Sequence, residues 1–224
     1  MKPSSSLLHT TLLTTLIHSS TALVGLSWNI PSAPSTGLTE ITFPISMPSA
    51  PHKSGYYFAQ QFGFAGAADV CSRAKTPPPP PIIHGVFSSF VNGTTTRDAN
   101  CHDGADGGAG VSCAVEVPGN YAHGFALEVV NSGGETWTGT LVDTVTGART
   151  HIGAYTLPAG SGGLKGSQVG FVEYYPWNSG SHSCGQLPAT QVVFGNPVSA
   201  GMQGVWASPM NMGIVLGRWI SGRR

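Results

Sequence analysis

The chain has 224 residues, with 10 Lys+Arg balancing 10 Asp+Glu, and only 9% of its residues are charged. That balance excludes nucleic-acid binding through bulk positive charge, and the scarcity of Glu and Lys excludes a coiled coil. A hydrophobic fraction of 40% excludes a chain disordered throughout, while 31 glycines and 17 prolines announce frequent turns.

Met1 and Lys2 precede a short apolar stretch, Leu7, Leu8, Leu12, Leu13, Leu16 and Ile17, which ends at the small residues Ser20, Thr21 and Ala22. This pattern predicts a secretory signal peptide over residues 1–22, cleaved after Ala22, and hence a secreted, extracellular protein with no membrane span. Two features fit that compartment. Asn92-Gly93-Thr94 is an N-glycosylation sequon in a Gly/Thr-rich turn. The four cysteines make an even set, and Cys101 and Cys113 flank a short Gly-rich loop that a disulfide closes most easily. Cys71 and Cys184 remain to pair or stay free.

Residues 23–54 are Pro/Ser/Thr-rich and read as a lead-in with one edge strand near Ile41 to Ile45. From Tyr56 onward apolar residues alternate with period two. Tyr56, Phe58, Gln60, Phe62 and Phe64 share one strand face; Val111, Cys113, Val115 and Val117 share another. Phe125 to Val129, Trp137 to Val142, Thr150 to Leu157, Gln168 to Tyr175 and Gln191 to Phe194 continue the series, with Thr136 to Tyr155 forming a hairpin. No window has a capped helical period. The expectation is an all-β fold, an antiparallel, jelly-roll-like β-sandwich, with a closed barrel as the alternative. The sandwich domain spans 55–197. A proline-rich insert at 71–81 interrupts it, since a polyproline run cannot donate to a ladder. An atypical tail with poor alternation covers 198–224.

Several strings are long and specific: Gly55 to Phe62, His84 to Phe90, Asn100 to Cys113, Thr136 to Gly147, and Val169 to Asn178. Together, over about residues 55–197, they resemble a secreted fungal branch of the domain-of-unknown-function family 3472. The resemblance implies a secreted β-rich domain of carbohydrate-related setting and supplies no agreed catalytic residues. The stretches 71–81 and 198–224 depart from the family pattern and read as gene-model artefacts.

Three constellations carry chemistry. Glu173-Tyr174-Tyr175-Pro176-Trp177-Asn178 sets aromatics, a carboxylate and an amide at a strand end. Exposed rings stack on sugar faces while Asn and Glu bond hydroxyls, so Trp137, Tyr174, Tyr175, Trp177 and Asn178 are the expected carbohydrate-binding residues; the competing reading buries Tyr175 with Val169 and Phe171. In the loop Asn100 to Gly110, oxygen groups on Asn100, Asp103 and Asp106, beside His102, suit calcium. The alternative there is an Asx-turn with no ion, and no other cofactor is implied. Finally, Glu116, Glu128, Asp143 and Glu173 are carboxylates on or beside strands, near His84, His123 and His151. Glu173 and His151 are the acid and base candidates if the protein is an enzyme. No nucleophile elbow, P-loop, dinucleotide fingerprint or zinc-ligand spacing occurs. The leading expectation is a monomer that binds extracellular or cell-wall polysaccharide. A polysaccharide hydrolase or lyase comes next, and a secreted interaction protein third.

Overall fold

A computed structural model of the chain describes residues 24–52, 55–75, 81–175 and 190–210, with side chains described at all of these except 24, 67–75 and 207–210. The alternation dictates strands throughout: β1 (Val24–Asn29), β2 (Glu40–Ser46), β3 (Tyr56–Phe64), β4 (Ala67–Lys75), β5 (Ile82–Ser89), β6 (Cys101–Ala105), β7 (Gly108–Pro118), β8 (Gly124–Gly133), β9 (Thr136–Asp143), β10 (Arg149–Thr156), β11 (Ser167–Tyr174), then the short β12 (Val193–Phe194), β13 (Val198–Ser199), β14 (Met202–Gln203) and finally β15 (Val205–Met210). No described residue is α-helical, and so no helix among them is long and apolar enough to cross a membrane.

The strands build two antiparallel sheets. The larger has the order β15-β1-β11-β3-β4-β5-β7-β6, and the smaller runs β10-β9-β8-β2-β13-β14, with β12 also paired to β2. Both are open, so the fold is a sandwich rather than a barrel. Its core follows from period two. One face of β3 sends Tyr56, Phe58, Phe62 and Phe64 inward, where they meet Phe43 and Trp137 of the other sheet. Phe43 and Phe62 stack with centroids 5.9 Å apart, Phe64 meets Trp137 at 4.9 Å, and Phe87 stacks on Tyr155 at 4.4 Å. Each such ring contributes about 1.5–3 kcal/mol by leaving water.

The structure corrects the expected boundaries. Residues 24–52 are part of the sandwich: β1 lies between β15 and β11, and β2 lies between β8 and β13. The strand that begins at Ala67 continues through Cys71 to Lys75, joined to both β3 and β5, so the interruption does not start at 71; the prolines at 76–80 lie outside the described residues. The start of the tail is integrated too, because β15 pairs with β1. The loop between Cys101 and Cys113 is a hairpin, β6–β7, turning at Asp106 (φ 48°) and Gly107 (φ 78°). Asp-Gly with two positive φ values is the turn that matches the twist of paired strands. Cys101 and Cys113 form the expected disulfide. The expected signal peptide and Cys184 lie outside the described residues.

Candidate functional site

The face of the larger sheet that points away from the core is where the chain gathers its chemistry. The antiparallel register sets residues in rows across five strands. Glu173 stands opposite Tyr57, Tyr57 opposite Lys75, Lys75 opposite His84, and His84 opposite Glu116. The next row runs Phe171, Ala59, Arg73, Val86 and Ala114, and the one beyond runs Val169, Gln61, Cys71, Ser88 and Ser112. In a chain with so few charges, the described side chains of one row include two acids and a histidine.

Glu173 is the notable member. Its neighbours Val172 and Tyr174 pack against the sandwich core, so alternation turns Glu173 outward, yet only 6% of it is exposed. The same face carries a second apolar cluster, Ala59 and Phe171 with Phe90 and Val169 against them. Burying a carboxyl group carries a free-energy cost that an ordinary outward-facing strand residue avoids. Tyr57 and Tyr175 meet on this side, ring centroids 5.4 Å apart. Farther along, His84 Nδ1 lies 3.3 Å from Glu116 Oε1, and the Ser88 and Ser112 hydroxyls are 2.9 Å apart.

Among the described residues, two members of the expected carbohydrate platform face the core. Trp137 is 1% exposed and faces the core, so it presents no ring to a sugar. Tyr174 packs on the core side against Tyr56, with centroids 4.8 Å apart, and burial followed by the influence of Tyr174 pushes the Tyr56 phenol up to about 12. Tyr175 alone of the described set is on the outer side, half-buried; Trp177 and Asn178 lie outside the described residues. Pairing Glu173 with His151 also fails, because His151 is on β10 of the smaller sheet and its Nε2 is 2.5 Å from Asp98 Oδ2. Burial pushes the Asp98 carboxyl up, but hydrogen bonds from the Asn100 amide, His151 and the Ala154 amide outweigh it and leave Asp98 below the usual carboxylate range.

The other candidates are dispersed. Glu116 and Glu128 are on opposite sheets, and Glu128 is bound to Arg149 through two hydrogen bonds that raise the arginine's already high pKa. His123 Nδ1 lies 2.7 Å from Asp143 Oδ2. In the hairpin, Asn100 donates its side-chain amide to the His151 carbonyl at 3.3 Å, while His102 Nδ1 lies 3.0 Å from the Asp103 carbonyl oxygen. Asp103 is exposed on β6, and Asp106 occupies the turn. Among the described residues no group of three or more His, Cys, Asp or Glu is placed to hold a metal ion. Asn92 is exposed in its turn, while Thr94 is buried with its hydroxyl 2.8 Å from that of Ser89. Tyr57 was missed in the sequence; the alternation of β3 was its signal, since Tyr57 falls between the inward-facing Tyr56 and Phe58.

No protein-family model matches the sequence, and no curated protein does. Solved structures do resemble it. Scytalido-glutamic peptidase with a peptide-based transition-state analogue aligns with a TM-score of 0.45 and 11% identity, over 90% of this chain and 95% of that one. SCP-B, a member of the eqolisin family of peptidases, aligns at 0.38 and 12%, over 81% and 82%. The enzymatically active domain of bacteriophage CBA120 tailspike protein 2 aligns at 0.37 and 10%, over 60% of this chain and 19% of that one. Values of this size transfer no activity to this chain.

Proposed function

We propose that the protein is an extracellular enzyme that cleaves acidic polysaccharide laid across the outer face of the larger sheet, with Glu173 and Tyr57 as its proton-transfer groups. The observation that carries this reading is the burial of Glu173 on a face that does not form the sandwich core. The disulfide suits an oxidising, extracellular setting.

Strand spacing favours elimination over hydrolysis by the pair Glu173 and Glu116. Glu173 and Glu116 share a row but are four strands apart, about 19 Å at roughly 4.8 Å per strand. A two-carboxylate glycosidase needs its acids about 5–9.5 Å apart. β-Elimination needs no second carboxylate. One group removes the proton next to the uronate carboxylate, and the freed electron pair forms a carbon–carbon double bond. The glycosidic oxygen leaves with its bonding pair and receives a proton from the second group. Glu173 as base and Tyr57 as acid stand on adjacent strands for these two transfers. The register also sets Arg73 and Lys75 on β4, the next strand, and cationic residues are the type that a uronate requires.

The test is incubation of the purified protein with a panel of neutral and acidic polysaccharides, followed by assays for unsaturated uronates and for new reducing ends. We expect unsaturated product from an acidic substrate, a 10²- to 10⁴-fold loss in Glu173→Gln, and no comparable loss in Glu116→Gln. Reducing ends without unsaturation would replace elimination by hydrolysis. Full activity in Glu173→Gln would refute the assignment.

A further inference from the structure

A second site is built on the other sheet. β10 is the last strand of the smaller sheet, and the segment after β5 is laced to it. Thr95 and Thr156 exchange both backbone hydrogen bonds, at 2.9 and 2.8 Å. The Thr96 hydroxyl donates to the Ala154 carbonyl at 2.7 Å, Asp98 holds His151, and Asn100 holds the His151 carbonyl. The disulfide anchors the segment's far end at Cys101. Between this segment and the ends of β9 and β10 lies a cleft of about 540 Å³, lined mainly by Thr95, Thr96, Arg97, Asp98, Thr136 and Thr156. That size suits a small ligand.

Ala154 and Tyr155 complete the lining of this open cleft, and its polar groups are few. Asp98 Oδ2 lies 2.5 Å from His151 Nε2, and the carboxylate also accepts hydrogen bonds from backbone amides. The exposed Arg97 has no ion pair or hydrogen bond among the described residues. The Thr136 and Thr156 hydroxyls, 2.9 Å apart, edge the same space. A lone guanidinium beside several hydroxyls matches a ligand with one carboxylate and several hydroxyl groups: the planar fork takes the carboxylate through two hydrogen bonds, and threonines exchange hydrogen bonds with ring hydroxyls.

We infer that this cleft binds a uronate unit of an acidic glycan, as an attachment site separate from the face that bears Glu173. This inference rests on the acidic-polysaccharide reading given above. It is tested by titrating the full-length mature protein, as the Glu173→Gln variant so that nothing is cleaved, with a galacturonate trimer. The carboxyl-reduced neutral trimer and inorganic phosphate serve as comparison ligands, and backbone amide NMR shifts are the readout. We expect saturable shifts at Thr95 to Asp98, Thr136 and Thr156 with the uronate trimer, binding at least tenfold weaker in Arg97→Gln, intermediate binding in Arg97→Lys, and none with the neutral trimer. Binding unaffected by Arg97→Gln, or the absence of shifts at these residues, would overturn the inference. Phosphate binding as tight as the trimer would reduce the cleft to an anion site and overturn its sugar specificity. Cleavage by the unaltered protein is assayed in parallel. Binding without cleavage would leave the cleft standing and remove the catalytic reading, and cleavage without cleft shifts would do the reverse.

Discussion

Asp143 shows how single side chains set the pH response of this molecule. Its Oδ2 is 2.7 Å from His123 Nδ1, and its Oδ1 accepts from the amides of Val145 and Thr146 at 2.9 and 3.0 Å. The His123 hydrogen bond, helped by the two amides against some desolvation, lowers its pKa to about 2. A carboxyl whose folded pKa lies below its ordinary value of about 3.9 stabilises the fold above that value, and this contribution is lost as pH falls from about 4 to about 2. We expect Asp143→Asn to lower the thermal midpoint near neutral pH and to flatten its decline across that window. Thermal unfolding at a series of pH values checks this, and an unchanged decline would assign it to other carboxylates. Glu173 belongs to a different category. Its variant tests chemistry, so Glu173→Gln is expected to lose activity while circular dichroism and the unfolding midpoint show that the sandwich remains.

At the scale of strands, two paired glycines fit the sheets together. Gly139 and Gly153 are opposite each other in β9 and β10. A Cβ on Gly139 would sit 2.5 Å from the Phe87 ring, and one on Gly153 would sit 2.6 Å from the Cys101 sulfur and 2.5 Å from Cys113 Cβ. Bare backbone on the smaller sheet therefore receives the ring and the disulfide of the larger one. We expect Gly139→Ala and Gly153→Ala each to destabilise the fold by about 1–3 kcal/mol through overpacking, read as a fall in the denaturant midpoint at unchanged slope. Removing the disulfide with Cys101→Ala and Cys113→Ala together is expected to cost about 3 kcal/mol in the loop-closure account; a double variant as stable as the parent would contradict it. The Cys101–Cys113 bond was legible because a short Gly-rich stretch separates the two. The inward faces of β3, β7 and β8 were legible because apolar alternation is a local signal. β1 and β15 were not: their stability comes from pairing with strands more than a hundred residues away in sequence, β11 for β1, and β1 for β15. Trp137 was misread as exposed for a related reason, since the same alternation that identifies β9 leaves open which face meets the second sheet.

For the whole molecule, the sandwich separates tasks by face. The core between the sheets is aromatic and apolar, with Gln60 held inside it by the Trp28 indole at 3.2 Å. The outer face of the larger sheet bears the buried acid, and the edge of the smaller sheet bears the cleft at Arg97. The sequence contains every residue of the Glu173 row, but the row spans 57 to 173 and exists only once the register of β11, β3, β4, β5 and β7 is set. This is why Tyr57, whose outward direction follows from the alternation of β3, could not be joined to Glu173 from the sequence. The most direct test of the central claim follows the appearance of unsaturated uronate when the purified protein and its Glu173→Gln variant are each incubated with an acidic polysaccharide. The account predicts steady release by the unaltered protein and release at least a hundredfold slower in the variant. Equal rates in the two proteins, or a folded parent that leaves every acidic polysaccharide intact, would contradict it.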